Sequence, residues 1–155
     1  MTITSAICNS FKQEILVEGH NFTGGTDTFK ISLYSSDSAT LNKSTTAYTA
    51  PADGTADPTN TYEVTSTSSG YTTGGNSLTS TTPVLSGDTA CCKFADTSWG
   101  SSASFTARGC LIYNSTNSNK AVCAINFGAD KTVTSGTFTI QFPAQTAGNA
   151  IIQIA

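Results

Sequence analysis

The chain has 155 residues and a mass of 16.0 kDa, which suits one domain over residues 1–155 with a core of its own. Only 11% of the residues are charged, against a usual ~25%, whereas 28 Thr and 20 Ser make up nearly a third of the chain. Seven scattered Lys and Arg and a pI near 4.8 argue against a nucleic-acid-binding face, and no apolar run approaches the ~18 residues of a membrane span.

The N-terminal segment, residues 4–19, is the best helix candidate. Ile7, Phe11 and Ile15 recur at four-residue spacing, and Leu16 falls on the same broad face. The pattern predicts one amphipathic helix that packs its apolar face on a sheet. In-plane membrane binding would need several Lys or Arg on the polar face, which the segment lacks.

A long surface loop region is predicted for residues 35–61, because this stretch is mostly Ser, Thr, Ala, Asp, Gly and Pro. Loops of this length in compact domains are usually functional or mobile. Ala52 and Asp53 are therefore candidate contact residues, and a solvated excursion without a contact is the alternative.

Most of the remaining chain has the pattern of strands. Apolar and polar residues alternate over 29–33 and 138–142, and over the strongest strand, 103–114, whereas 121–127 is apolar on both faces and is expected to be central. Trp99 is predicted to lie in a turn. Short strands with a turn every 8–12 residues indicate a mainly β fold, a β-sandwich that is jelly-roll-like or immunoglobulin-like, with the one N-terminal helix covering it.

The C-terminal segment, residues 150–155, is predicted to be an uncharged strand. Chain ends usually fray unless they are held, so Ile151, Ile152 and Ile154 are expected to be buried. They are buried either in the chain's own sheet or across a subunit contact, and they are candidate oligomer or capsid contacts.

The five cysteines are odd in number, so at least one is unpaired within a monomer. The start of the chain lacks the basic, apolar and small-residue regions of a signal peptide, which favours a reducing compartment. Adjacent Cys91 and Cys92 point to opposite faces of a strand and do not readily grip one metal ion. Buried free thiols are expected, with one intrachain disulfide or a metal site as the alternatives.

Catalytic and cofactor motifs are missing from the sequence. The lone His20 has no nucleophile motif to serve, so a structural role is expected, and the Gly-rich pieces are not followed by a lysine-bearing helix that would cradle phosphate. Arg108 is expected to form a structural ion pair with Glu63, Asp88 or Asp96. We therefore expect no enzyme activity, no cofactor and no metal.

Four aromatic residues offer a hypothesis of another class. Trp99 with Tyr62, Tyr71 and Tyr113 could line a sugar-binding platform. This would make the protein a carbohydrate-binding module, although isolated aromatic residues in a β-sandwich more often belong to the core or its rim.

Six segments spread over nearly the whole chain carry a resemblance to a known family. They are residues 6–12, 27–34, 106–114, 119–122, 127–131 and 150–152. In this order they resemble a family of small virion structural proteins of tailed phages, including cyanophages, and most closely a capsid cement or decoration protein. The chain departs from that family at Cys91, Cys92 and Cys110, where small or apolar residues are expected, and in a longer loop at 50–61.

The resemblance implies a non-catalytic component of the particle. Its expected partners are the major capsid protein and itself, as a homotrimer that bridges neighbouring capsomers, without nucleic acid or membrane. Its expected location is the capsid surface of the virion, after assembly in the host cytoplasm. A tail, neck or fibre-base protein is the alternative position in the particle.

Overall fold

The computed structural model of the chain describes residues 2–35, 39–49, 62–65 and 70–155. They form two antiparallel sheets and one short N-terminal helix, so the predicted mainly β, β-sandwich-like fold is confirmed. The elements in chain order are β1 (Ala6–Ile7), α1 (Asn9–Glu14), β2 (Phe29–Tyr34), β3 (Asn76–Leu78), β4 (Val84–Ser86), β5 (Thr89–Cys92), β6 (Thr97–Asn114), β7 (Lys120–Ile140) and β8 (Ile152–Ile154).

The strand order, which the sequence left open, separates a large and a small sheet. The large sheet has the order β1-β7-β6-β2-β3, and the small sheet has the order β4-β5-β8. The hairpin of β6 and β7, with 18 and 21 residues, forms the long axis of the large sheet. The register of this hairpin shifts at four places, which is the signature of β-bulges that twist a long ribbon.

The core lies between the sheets and follows the predicted alternation of β6. Phe105 and Ala107 are buried while Thr106 between them is partly exposed, and from Gly109 to Asn114 both faces are buried. The apolar run of β7 is likewise buried from Ala121 to Ala124. One hydrophobic cluster contains these residues and Cys92 and Ile152 of the small sheet, so the two sheets share a core.

The predicted helix over 4–19 is wrong in its extent. Ala6–Ile7 form β1 by pairing with Ala124 and Cys123 of β7, and the N–H of Cys8 bonds to the Val122 carbonyl at 3.0 Å. The open edge of β7 therefore takes these residues as a strand, because strand pairing satisfies backbone groups on both elements. The α-helix has six residues, and a 3₁₀ turn over Ile15–Val17 follows it.

The predicted surface loop region over 35–61 is wrong for its middle part. Ala39 and Leu41 are fully buried, and the Leu41 carbonyl accepts a hydrogen bond from Thr4 N at 2.8 Å. Residues 39–49 thus pack against the N-terminal segment through side chains such as Ala39 and Leu41, while Lys43, Ser44 and Thr46 are exposed. Residues 36–38 and 50–61 lie outside the described residues.

Two further strand boundaries differ from the predictions. β8 covers Ile152–Ile154 and not all of 150–155, because the pairing with β5 spans only three residues. Trp99 lies in β6 and not in a turn; it pairs with Phe138 and is only 3% exposed. The Ser and Gly residues around it suit a turn, but burial of the indole against Phe105 and Phe138 holds the segment in the sheet.

Candidate functional site

The predicted contact residues of the C-terminal strand have three different environments. Ile152 is 5% exposed and pairs with Cys92, so it belongs to the core. Ile154 is 53% exposed, and Ile151 is half-buried. Ala52 and Asp53 lie outside the described residues. Of the predicted set, Ile154 is therefore the side chain that presents apolar surface to solvent.

Ile154 belongs to an apolar row that crosses the small sheet. Leu85 of β4 pairs with Ala90 of β5, and Ala90 pairs with Ile154 of β8, so the three side chains lie on one face. Two residues along, the same face carries Cys92 and Ile152, which are each 5% exposed. The face is thus buried in the core at the end with Cys92 and Ile152 and exposed to solvent at the end with Leu85 and Ile154. We call Leu85, Ala90 and Ile154 the apolar strip.

A groove beside β8 continues the apolar strip towards the N-terminal segment. It holds about 390 Å³, and Ile154 forms part of its wall together with Phe11, Ile15 and Leu16. Leu16 is 83% exposed. Lys12 is the charged side chain on this wall. We call this feature the C-terminal groove; strip and groove meet at Ile154 and form one apolar surface.

Sequence reasoning missed Leu85 and Leu16 as surface residues. The helical pattern placed Leu16 on the buried face, but the 3₁₀ turn after α1 rotates it outward to 83% exposure. Leu85 is 76% exposed on an edge strand. The sequence signal that could have found this edge is Pro83, because proline is confined to the outer strands of a sheet.

A second apolar trough lies on β7, at the end away from the turn that joins it to β6. It holds about 490 Å³ between Phe127 and Phe138 of β7 and the segment that carries Phe142 and Ile151. Beyond Ala124, within the described residues, β7 pairs with β6 as its one partner strand. On the other edge Asn126 is still held by Ser5 Oγ and the Ile3 carbonyl. Ile151 therefore contributes to a concave wall, separate from the apolar strip.

The most deeply held charged group is Glu63, in the short segment 62–65. Its Oε1 accepts hydrogen bonds from Tyr71 Oη at 2.7 Å and from Gly74 N at 2.6 Å, and its Oε2 accepts one from Tyr48 Oη at 2.9 Å. Glu63 is 4% exposed. The carboxylate joins its own short segment to residues 8 to 15 positions away in the sequence, and nothing in the local sequence pattern predicts this.

The pKa of the Glu63 carboxyl is raised from its usual value because burial disfavours the charged form. The hydrogen bonds from Tyr71, Gly74 and Tyr48 and the charge of Lys30 act in the opposite direction without cancelling it. Burial and the Glu63 charge in turn raise the pKa values of the tyrosines that surround it. The arrangement holds the backbone on either side of residues 50–61 and keeps the Glu63 carboxylate away from solvent.

His20 has the structural role that was expected for it. Its imidazole is fully buried, with Nε2 at 2.8 Å from Glu14 Oε2 and Nδ1 at 3.2 Å from Asn114 Nδ2. The Asn114 amide also donates to Asp27 Oδ2 at 2.7 Å, so it acts as the donor and His20 carries its proton on Nε2. The network fastens the end of the N-terminal segment to the β6–β7 turn.

Comparison of the chain with models of protein families, with curated proteins and with solved structures finds no match.

The remaining predictions concern the cysteines, a metal site and a membrane span. All five cysteines are free and buried, as expected. Burial raises the pKa of the Cys8 and Cys92 thiols to about 11. Within the described ranges no group of three or more His, Cys, Asp or Glu side chains is placed to hold a metal ion, and no helix is long and apolar enough to cross a bilayer.

The ion pair of Arg108 was predicted with the wrong partners. Its Nη1 lies 3.6 Å from Asp130 Oδ1, because the β6–β7 pairing brings the two side chains together at the surface. Glu63, by contrast, is enclosed by tyrosine hydroxyls.

The sugar-binding platform is wrong for three of its four proposed residues, and the fourth, Tyr62, is half-buried. Trp99, Tyr71 and Tyr113 are 2–4% exposed, so their faces are not available to a ligand. Trp99 packs edge-on against Phe105, and Tyr113 stacks on Tyr48 with ring centres 4.4 Å apart.

Proposed function

We propose that this protein is a capsid cement (decoration) protein of a tailed bacteriophage. It assembles as a homotrimer and stabilises the shell by bridging neighbouring capsomers of the major capsid protein. In this role it acts by adhesion and not by catalysis, on the capsid surface, after assembly in the host cytoplasm. The order of the six sequence segments that resemble phage structural proteins supports the particle assignment.

The observation that carries the proposal is the bare end of the small sheet. Leu16, Leu85 and Ile154 are each more than half exposed, and they lie on one continuous surface. Patches of a few hundred Å² are about the largest that a typical protein exposes, and they are often functional. A molecule that works inside an assembly has such a surface covered by its neighbours.

The charge of the chain supports the same role. Natural edge strands are commonly defended against association by charged residues. Here β4 (Val84–Ser86) and β8 (Ile152–Ile154), the two edges of the small sheet, contain no charged residue. Contacts made by such edges bury little charge, so they avoid a large desolvation penalty. A trimer that touches several capsomers at once gains avidity from contacts that are individually weak.

The test is binding of the purified protein to shells of the phage that encodes it. We expect a solution mass near three times the 16.0 kDa of one chain, co-sedimentation with expanded shells, and no binding to precursor shells. Electron cryomicroscopy of the decorated particle should place extra density on the capsid surface. A stable monomer that never sediments with shells contradicts the proposal. Density at the tail, neck or fibre base replaces the capsid role with that of another virion part.

A further inference from the structure

We propose that copies of this chain hold one another head to tail, with the Leu85 end of the apolar strip of one copy seated in the C-terminal groove of the next. This inference rests on the proposed function, because it assigns the surface that closes the homotrimer. The occupant of the groove is thus a second copy of this chain, and the contact joins two different parts of the surface.

The two parts differ in shape in the way that such a contact requires. Leu85 stands 76% exposed on an edge strand, next to the tight turn at Gly87 and Asp88. The C-terminal groove is a concavity of about 390 Å³ with Phe11, Leu16 and Ile154 on its wall. A protruding leucine and an apolar concavity complement one another, and neither complements itself as well.

The exposed area suits the core of a specific interface. Leu16, Leu85 and Ile154, with exposures of 83%, 76% and 53%, together leave on the order of 400 Å² of surface bare. A standard interface buries about 800 Å² on each partner and surrounds an apolar centre with a polar rim. The exposed polar side chains of Asp88 beside the strip and Lys12 on the groove wall belong to that rim. The patch is therefore of the size needed at the centre of such a contact.

Charge complementarity supports a contact between the Leu85 end and the groove. The exposed Asp88 follows β4 at the Leu85 end, and the exposed Lys12 lies on the wall of the groove. A Leu85 end seated in the groove of another copy therefore meets a group of opposite charge. Two Leu85 ends placed together would instead bring two Asp88 carboxylates together. A head-to-tail contact of this kind closes into a ring when the rotation between copies permits.

Cysteine cross-linking of the full chain tests the arrangement. The variant with both Leu85→Cys and Leu16→Cys is treated with a short bismaleimide and analysed on a denaturing gel. We expect a ladder of one, two and three chains that ends at three. The wild type is the reagent control, since its five thiols are buried. The matched control is Leu85→Cys with Thr137→Cys, where Thr137 is exposed on β7 outside the strip and groove.

Each outcome of the cross-linking has a defined meaning. Products of two chains only indicate a two-fold contact and overturn the ring. Efficient cross-linking of the Leu85→Cys single variant to itself overturns the head-to-tail direction. A trimer by light scattering that yields no specific cross-link overturns the choice of surface and leaves the proposed function standing. The expected ladder from a protein that never binds shells supports this inference and counts against the proposed function.

A charge exchange gives a second measurement that does not depend on cross-linking. Lys12→Asp and Asp88→Lys should each weaken self-association at low salt by up to about fivefold, as is typical of an exposed pair, and the double variant should recover it. Leu85→Ser should shift the protein to monomer, whereas Val17→Ser, at a 71% exposed site outside the groove wall, should not. Equal effects of Leu85→Ser and Val17→Ser, or no recovery in the double variant, contradict the inference. Circular dichroism establishes that each variant is folded.

Discussion

Replacement of Glu63 by Gln should reveal a pH dependence of stability opposite to that of an ordinary carboxylate. Glutamine keeps an oxygen that can accept from Tyr71 Oη and Gly74 N, and its amide can bond to Tyr48 Oη. The variant removes the buried charge and preserves the shape. At neutral pH its free energy of unfolding should lie within about 1 kcal/mol of the wild type.

The direction in which stability changes with pH follows from the direction of the Glu63 pKa shift. Because the folded-state pKa of Glu63 is raised above its usual value of 4.5, the folded chain binds the proton more tightly than the unfolded chain does. The stabilisation from this protonation is fully present below pH 4.5 and is lost as the pH rises through the folded-state pKa. The wild type should therefore gain stability relative to Glu63→Gln as the pH falls from neutral towards 4.5.

The loss of stability on removing the Glu63 carboxylate can be estimated from the hydrogen bonds that it accepts. Glu63→Leu leaves three donors without their acceptor in a site that is 4% exposed. At about 1–3 kcal/mol for each buried unsatisfied group, the loss is about 3–9 kcal/mol, a large part of the 5–15 kcal/mol that holds a typical domain. This variant should unfold at a much lower urea concentration, and Glu63→Gln should not.

Urea denaturation at several pH values between 4.5 and 8 provides the assay, with the difference between wild type and Glu63→Gln as the measured quantity. Tyr48→Phe removes a donor that favours the carboxylate, so it should steepen the dependence. Tyr113→Phe is its control, because that hydroxyl donates to the Gly74 carbonyl and not to Glu63. The reasoning would be refuted if the stability of the wild type relative to Glu63→Gln did not change with pH, or if it increased as the pH rises.

Two further predictions concern packing and thiols. Gly75→Ala should lower the free energy of unfolding by more than about 2 kcal/mol, because Gly75 has φ of 71° and a Cβ there would collide with the Ile31 backbone. The control Gly100→Ala, with open space around the added Cβ, should leave the free energy of unfolding nearly unchanged. Thermal melts of the two variants measure this, and equal melting temperatures would contradict it. A thiolate-selective reagent at pH 8 should label the native protein slowly, since Cys8 and Cys92 have pKa values of about 11. In denaturant the same reagent should label all five thiols. Fast labelling of the native protein would contradict the burial of the cysteines.

The fold class was predictable because burial in this chain follows simple periodicity. Alternation over β6 and the doubly apolar start of β7 depend on local residue types, and the structure buries them as predicted. The strand order was not predictable, since it depends on pairings such as Ala6 with Ala124 that lie more than a hundred residues apart. The same pairing explains the failed helix prediction: Ile7, Phe11 and Ile15 fit a helical face, but the free edge of β7 competes for the first of them.

The candidate surface was only partly predictable for a related reason. Ile154 could be named from sequence because the uncharged apolar run over 150–155 predicts a strand that packs against another element. For Leu85 the sequence offers only Pro83 as a sign of an outer strand, and the exposure of the leucine itself follows from the place of β4 at the sheet edge. Glu63 gave no signal, since its three donors come from Tyr48, Tyr71 and Gly74, and only the folded chain brings them together.

The division of the small sheet's face has a consequence for how folding and assembly are coupled. Cys92 and Ile152 at one end of the face are buried in the core, while Leu85 and Ile154 at the other end are bare. One continuous strand, β8, thus contributes to the fold through Ile152 and to the surface through Ile154. Substitution of Ile152 should therefore lower both the stability of the monomer and self-association. Substitution of Leu85 should affect self-association alone, because in the isolated chain its side chain has little contact to lose.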